Sequence, residues 1–363
     1  MTATVTKTGP YYSSGQISFS SLRNTFKEVS SGEIKVSELK RNTSLTNKNP
    51  TVPDATENSN ISSSLNLKLS QFRNSIKYYY ITQTGTDINF DIASQSWNSN
   101  INKNIVKILY ITGACGSNTT SSPAAFLNTT VCNLTLRVSG GIYGAGGGGG
   151  NSSTISGGNG GNALSLVSAN ANNLVVDILG SSNIYGGGGG GEYGANGSNG
   201  SSGTCINYSQ YTTSRRCRSC PNCDSGYTRI DCYNREGRCQ TFYQYRRSVC
   251  KRTDYNTVSG GPGGVGGNGA NGRGYNNLSS SLGGSSGTAG SGGGCGGYAS
   301  NGSPIPTGGS SGETGGNGGD WGSNGSPTTN IGSGGIPGRS ISGQNYTIIG
   351  TINSSTIKGL YNP

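Results

Sequence analysis

The sequence predicts a mainly β and irregular protein in which a glycine-rich scaffold carries a short disulfide-rich insert. Three observations carry this. Sixty of the 66 glycines lie from residue 140 onward. From residue 142 short aliphatic stretches alternate with glycine runs, as in ALSLVSANANNLVVDILGSSNIY followed by GGGGGG. Into this region is set a segment, 204–259, with seven cysteines, ten Lys/Arg and seven tyrosines, but only Gly226 and Gly237. The apolar fraction of 30% is too low for a large aliphatic core across 363 residues. Backbone hydrogen bonds must therefore order much of the chain.

Residues 1–50 open with a near-repeat. SGQISFSSL at 14–22 recurs as SGEIKVSEL at 31–39, with RNT following each. Each copy predicts a short strand, 17–19 or 34–36, then a brief helix N-capped by Ser20 or Ser37. Neither copy can bury much alone. The segment is read as an anchor that docks onto another structural protein rather than as a pair of packing modules. Residues 51–81 are a linker with a short helix and strand. The polar stretch 42–64, with Pro50 and Pro53, is an extended arm. Leu69, Phe72 and Ile76 stand at helical spacing, and 78–81 is strand-like. Residues 82–139 form a small β-domain, because INFDI, NIVKILYI and NLTLRV show period-two alternation or β-branched runs. Cys115 and Cys132 bracket a loop and are expected to pair.

Residues 140–203 and 260–338 are the glycine-rich lattice. A run such as 186–191 loses about 0.5–1 kcal/mol per glycine relative to alanine in regular structure. Order there needs compensation, and polyproline-II rods supply it. Without side chains they approach closely enough for every N–H and C=O to pair with a neighbour. A flexible Gly/Ser linker is the alternative. It does not explain why Ile, Val, Leu, Tyr and Trp, including Trp321, interrupt the runs. Residues 339–363 are a carboxy-terminal β-ending.

The net charge of +11 is uneven: the insert has ten basic and four acidic residues, and the lattice is almost neutral. The chain has no histidine, which removes His-dependent triads and His-ligated zinc. The carboxylates are scattered, so no enzymatic activity and no cofactor are expected. Matches to GxGxxG arise by chance in such a composition. No stretch has the roughly 18 apolar residues of a membrane helix. The opening MTATVTKTGPYY lacks the apolar core of a signal peptide.

The insert's cysteines are Cys205, Cys217, Cys220, Cys223, Cys232, Cys239 and Cys250. Cys295 makes eight, and Cys115 with Cys132 makes ten. Disulfides are the favoured reading, since the segment has too few aliphatic residues to hold a shape otherwise. Their connectivity is left open among 105 possibilities. Zinc on CxxCxxC is the rival. Among the cysteines stand Arg215, Arg216, Arg218, Arg229, Arg235, Arg238, Arg246, Arg247, Lys251 and Arg252, with Tyr211, Tyr227, Tyr233, Tyr243 and Tyr245. Arginine forks grip phosphate, sulfate or carboxylate, and tyrosine offers a broad amphipathic face. This set is the candidate binding surface. No metal is assigned and no nucleic-acid motif is present.

Three stretches resemble a known family. They are NFDIASQSWNSN…IVKILYITGACGSNTTSSPAAF…LTLRVSGGIYGAGGGGG, then NGGNALSLVSA…IYGGGGGGEYG, and finally GGNGGDWGSNGSP…GGIPGRSISGQNYTIIGTI. Together they are similar to the glycine-rich adhesins at the tips of T-even-type long tail fibres, over about 89–203 and 260–352. The resemblance implies a polyglycine helix sandwich from which variable segments protrude to bind the host. It implies a virion-surface location, extracellular after lysis. One partner is another fibre or tail protein, held by the amino-terminal segment. The other is a host receptor: an anionic glycan, lipopolysaccharide or outer-membrane component. The insert occupies the position of a variable segment but is longer and richer in cysteine. A self-assembling fibre or coat protein, an ice-binding glycine-helix protein and a zinc-bearing nucleic-acid binder are the alternatives.

Overall fold

Alternating strands stack in parallel between residues 78 and 358, and this stacking organises the chain. The computed structural model describes residues 3–8, 17–22, 26–27, 33, 35–42, 51–64, 66–166, 174–217, 228–229, 243–279, 288, 290, 300–301, 307–328 and 332–362. Two compact units result. The first comprises 1–195, 267–285 and 314–363, and the second 196–266 and 286–313. The described elements are mainly β, with helices of no more than a turn or so.

In the first unit, β1 (Ala3–Thr8) is followed by a one-turn helix, α1 (Phe19–Leu22), and a 3-10 turn, Val36–Leu39. The turns fall at matching positions of the near-repeat. Leu22 and Leu39 are both buried in a small core with Ile17, Phe26, Val52, Ile61 and Phe72. Phe19 and Val36, also matched, are both exposed. The expected serine caps are corrected: each helical turn begins one residue before the serine. The Ser18 hydroxyl accepts the Ser21 N–H at 3.1 Å, and the Glu38 carboxylate accepts the Lys35 N–H at 2.9 Å. The expected arm also packs, because β2 (Arg41–Asn42) pairs with β3 (Val52–Pro53) and Val52 and Ile61 join the core. The helix expected after residue 65 shrinks to a 3-10 turn, Leu69–Phe72. Phe72 and Ile76 are buried, but the chain is extended again by Tyr78.

Each coil of the stack then supplies one strand to each of three sheets. The first has β4 (Tyr78–Gln83), β5 (Thr86–Ile88) and β6 (Phe90–Asp91). The second has β7 (Val106–Ile111), β8 (Ala114–Gly116) and β9 (Ala125–Phe126). The third has β10 (Leu134–Val138), β11 (Gly141–Tyr143) and β12 (Leu164–Leu166). The fourth has β13 (Leu174–Ile178) and β14 (Asn183–Tyr185). The second unit's β15 (Gly203–Cys217), β16 (Thr228–Arg229), β17 (Tyr243–Val258) and β18 (Ser300–Asn301) intervene. Only then does β19 (Ile341–Gly343) complete the fourth coil. β20 (Tyr346–Gly350) and β21 (Ile357–Lys358) make the fifth. All pairings in the stack are parallel except β1 against β4.

Side chains at matching positions form ladders at strand spacing, about 4.8 Å. Ile81, Leu109, Leu136, Val176 and Ile348 form one. Phe90, Ala125, Leu164 and Ile341 form another. Polar intruders occupy two rungs. Lys107 lies between Tyr79 and Leu134 and is fully buried. Its ammonium donates to the carbonyls of Lys103 at 2.8 Å, Ile105 at 3.2 Å and Cys132 at 2.7 Å. Burial lowers its pKa to about 7. Cys115 stands between Asp87 and Ile142. Burial pushes its thiol up to about 12.

These positions correct the expected Cys115–Cys132 bridge: both thiols are free and buried. Cys115 is a rung of the five-stranded sheet, whereas Cys132 precedes β10 of the six-stranded sheet. The loop they bracket spans β9 in a third sheet instead of closing on itself.

The glycine runs have neither helix nor strand, yet their hydrogen bonds repeat every three residues. Residues 185–192 show it best. The N–H groups of Gly187 and Gly190 donate to Gly161 and Gly158, those of Gly188 and Gly191 to Arg273 and Ala270, and those of Gly189 and Glu192 to Ser323 and Ser326. The carbonyls of Gly188 and Gly191 accept from Gly147 and Gly150, those of Gly187 and Gly190 from Gly338 and Gly335, and those of Gly189 and Glu192 from Gly319 and Gly316. One segment thus bonds to six others. In the second unit, Gly197 and Gly200 donate to Gly264 and Gly261, which donate to Ser310 and Thr307. Those two donate in turn to Ser198 and Ser201.

Candidate functional site

The expected binding residues fall on the second unit's long hairpin. β15 and β17 pair antiparallel from Gly203–Val258 to Cys217–Tyr243, with one register shift at Asn207/Tyr208. β16 adds to β17 and β18 to β15. Strand-forming Tyr, Thr, Ile and Val populate both arms. Tyr211, Arg215 and Arg216 lie on β15, Arg229 on β16, and Tyr243, Tyr245, Arg246, Arg247, Lys251 and Arg252 on β17. Arg218, Tyr227, Tyr233, Arg235 and Arg238 lie outside the described residues.

Register concentrates the charge. One rung joins Arg215, Tyr245 and Arg229 across three strands. The next joins Ser214, Arg246 and Thr228, with Arg247 opposite Thr213 beyond it and Arg216 opposite Gln244 on the other side. Four successive rungs therefore hold five arginines and no carboxylate; by the two-residue pleat, the positions of Arg215, Arg229 and Arg247 share one face with Tyr245, and those of Arg216 and Arg246 share the other. The three positions that share a face span roughly 7 Å along the strands and 10 Å across them. Composition revealed the excess of arginine, but only strand pairing shows that distant residues share these rungs.

The same register narrows the cysteine pairing. Cys205 faces Asn256 and Asn301, Cys217 faces Tyr243, and Cys250 faces Gln210. No two of these three are neighbours. Cys250 lies seven positions along β17 from Tyr243, about 24 Å, against the ~7 Å that a disulfide spans. Cys220, Cys223, Cys232, Cys239 and Cys295 lie outside the described residues. No cluster of metal-ligating side chains occurs among the described residues.

Trp321, an anchor among the glycine runs, has aromatic partners in the first unit. Its ring lies 5.5 Å from Tyr143 and 5.8 Å from Tyr185, which are 5.9 Å apart. Tyr143 and Tyr185 are register neighbours on β11 and β14. Arg273 sits over the indole at 5.7 Å and Lys358 over Tyr185 at 5.0 Å. Arg273 pairs with Asp320 at 2.9 Å. Burial pushes the Asp320 carboxyl up, but the Trp321 amide and Arg273 outweigh it and hold it below its ordinary value. Burial raises Tyr185. With one cation over Trp321 and another over Tyr185, this cluster clasps the solenoid to the glycine runs.

Comparison with known proteins agrees with the resemblance read from the sequence. Residues 75–219 match the family model described as phage tail fibre adhesin Gp38. That match spans the coils up to β14 and ends beside Cys217. No curated protein matches the chain. Among solved structures, it is similar to the gp37-gp38 adhesin tip complex of the bacteriophage S16 long tail fibre, with 19% identity and a TM-score of 0.39. That likeness covers 83% of this chain and 88% of the other.

Proposed function

We propose that the chain is a host-attachment adhesin of a phage tail fibre whose arginine-rich hairpin grips an anionic group on the cell surface. The match of residues 75–219 to the tail fibre adhesin family supports the adhesin role. The observation that carries the finer reading is the rung pattern: the positions of Arg215, Arg229 and Arg247 share one face of neighbouring rungs, with Tyr245 among them. Such a patch favours bidentate contact with phosphate, sulfate or carboxylate. The ligand is an acidic glycan, lipopolysaccharide or an acidic outer-membrane component. Tyrosines on the same strands supply contact that salt does not screen. Disulfides among the eight cysteines of the insert and Cys295 hold the hairpin and its loops together.

The glycine runs are polyproline-II helices stacked as a polyglycine sandwich. The three-residue hydrogen-bond repeat and the six neighbours of residues 185–192 support this. The amino-terminal segment attaches to another fibre or tail protein. Phe19 and Val36, exposed at matching positions of the two repeat copies, are suited to that contact. The protein then lies on the virion surface and acts without catalysis.

The test is adsorption. Replacing Arg215, Arg216, Arg246 and Arg247 by glutamate, or deleting 205–250, abolishes attachment while the first unit stays folded. Raising salt weakens wild-type attachment. Full adsorption by the deletion variant overturns this assignment of the site.

A further inference from the structure

The polyglycine network has margins, and the same chemistry closes three of them. At each margin, among the described residues, an N–H with no main-chain acceptor donates to an asparagine side chain instead. Ile336 and Arg339 donate to the Oδ1 atoms of Asn159 and Asn162, at 3.0 and 2.8 Å. Gly266 and Gly263 donate to Asn196 and Asn199, at 2.8 and 2.9 Å. Gly149 and Gly146 donate to Asn271 and Asn276, at 2.8 and 2.7 Å.

The geometry is shared. In the first case Gly157, Gly160 and Ala163 donate to Ser333, Ile336 and Arg339. The asparagines stand two residues after a donor, on the same segment, and reach over the segment they serve. Gly197 and Gly200 donate to Gly264 and Gly261 in the second case, and Gly269 and Gly272 to Gly150 and Gly147 in the third. Asn199 and Asn271 again stand two residues past a donor. The sequence signature is a Gly-x-Asn triplet: GGNGGN at 157–162, GANGSN at 194–199 and GGNGAN at 266–271. Proline fills another amide position on two of the served segments, as Pro262 and Pro337. A residue without an N–H needs no acceptor.

We infer that these asparagines terminate the lattice: each side-chain carbonyl occupies the place where the main-chain carbonyl of one more glycine segment would sit. The occupant they exclude is a glycine run from a second copy of this chain. The interior shows that such a run fits, because residues 185–192 accept six of them. An uncapped margin would present amides in a row at three-residue spacing, as an open sheet edge presents its own. The capped margin keeps each copy finite. This inference does not depend on what the hairpin binds.

The experiment compares Asn159→Ala/Asn162→Ala with Asn159→Asp/Asn162→Asp in the full chain. Amide exchange is read at Ile336 and Arg339, and mass is read by light scattering over rising concentration. The alanine pair exchanges those two amides at least about fivefold faster, the loss of one hydrogen bond each, and associates as concentration rises. The aspartate pair keeps an acceptor in place, retains protection and stays monomeric. The single Asn159→Ala variant shows the same change at Ile336 alone should the double variant fold poorly. Unchanged exchange in the alanine variants overturns the inference. So does faster exchange without association, since the margin would then be open but unattractive to a second copy.

Discussion

Two glycines on hydrogen-bonded segments should respond to alanine with opposite signs. A Cβ on Gly190 would overlap the Gly148 carbonyl oxygen and lie 2.5 Å from its carbon and 3.0 Å from the Gly149 nitrogen. Carbon atoms rest at about 3.5–4.0 Å, so the two segments must separate by roughly 1 Å. Three hydrogen bonds join them, from Gly144 to Tyr185, Gly147 to Gly188 and Gly150 to Gly191, at 2.8–2.9 Å. Losing all three costs about 3–4 kcal/mol at the usual ~1 kcal/mol each, with a little more for amides left buried. The entropy recovered from a less flexible unfolded chain offsets less than 1 kcal/mol of this. A Cβ on Gly148, by contrast, meets nothing within 4 Å. Neither glycine has a positive φ, so only packing separates them. Gly190→Ala therefore lowers the melting temperature by about 4–7 °C, whereas Gly148→Ala leaves it unchanged or raises it by a degree or two. Calorimetry on the two purified variants decides. A Gly190→Ala protein that melts with the wild type refutes the close approach of these segments.

Stability relative to Lys107→Met should depend on pH. The folded pKa of about 7 lies below the ordinary 10.5, so between these values the unfolded chain holds a proton that the folded chain lacks. Wild-type stability, measured by denaturant unfolding against Lys107→Met, then rises from pH 7 to 10.5 and is flat below; a fall over that window contradicts the burial argument. Alkylation in denaturant without reductant labels Cys115 and Cys132, and a cross-linked peptide joining them would contradict their separation onto different sheets. Trp321→Ala removes a ring only 7% exposed and lowers stability by about 3–5 kcal/mol in thermal unfolding, with loss of near-ultraviolet dichroism from Tyr143 and Tyr185. An unchanged transition would mean that the aromatic clasp carries little.

The strands β7 and β10 were visible because alternation is a local signal. What they pair with was not. The strands of the six-stranded sheet begin at Tyr78, Val106 and Leu134, 28 residues apart, and no short window spans that distance. In NIVKILYI both faces are largely apolar, so alternation alone favours Val106, Ile108 and Tyr110 as the buried set. The ladder instead buries Lys107, Leu109 and Ile111, and carbonyl acceptors make the lysine tolerable. Bracketing suggested the Cys115–Cys132 bridge because it treats a loop as closed; in a solenoid the same stretch travels around the coil. The arginines of the hairpin were legible as composition, whereas which of their positions share a face needed the register of β15, β16 and β17. The Gly-x-Asn triplets stood in plain view at 157–162 and 194–199, but a composition so rich in glycine and asparagine hides a period of three until the acceptors are seen.

The fourth coil has an order of manufacture built into it. β14 ends at Tyr185, and the strand that finishes its turn begins at Ile341. On the ribosome, the first three coils can stack soon after they emerge. Val176 and Ile184 must then wait, without β20 and β21, while the intervening residues are made. At ~5–20 residues per second this interval lasts roughly ten to thirty seconds. Residues 185–192 wait too, because their partners at Gly316, Gly319, Gly335 and Gly338 come last. A nascent chain stalled before residue 314 would thus carry folded coils, an unfinished seam of aliphatic side chains and a glycine strand with half its partners missing. The final fifty residues act as a closing stitch, and truncation there should harm solubility far more than their small share of the mass suggests.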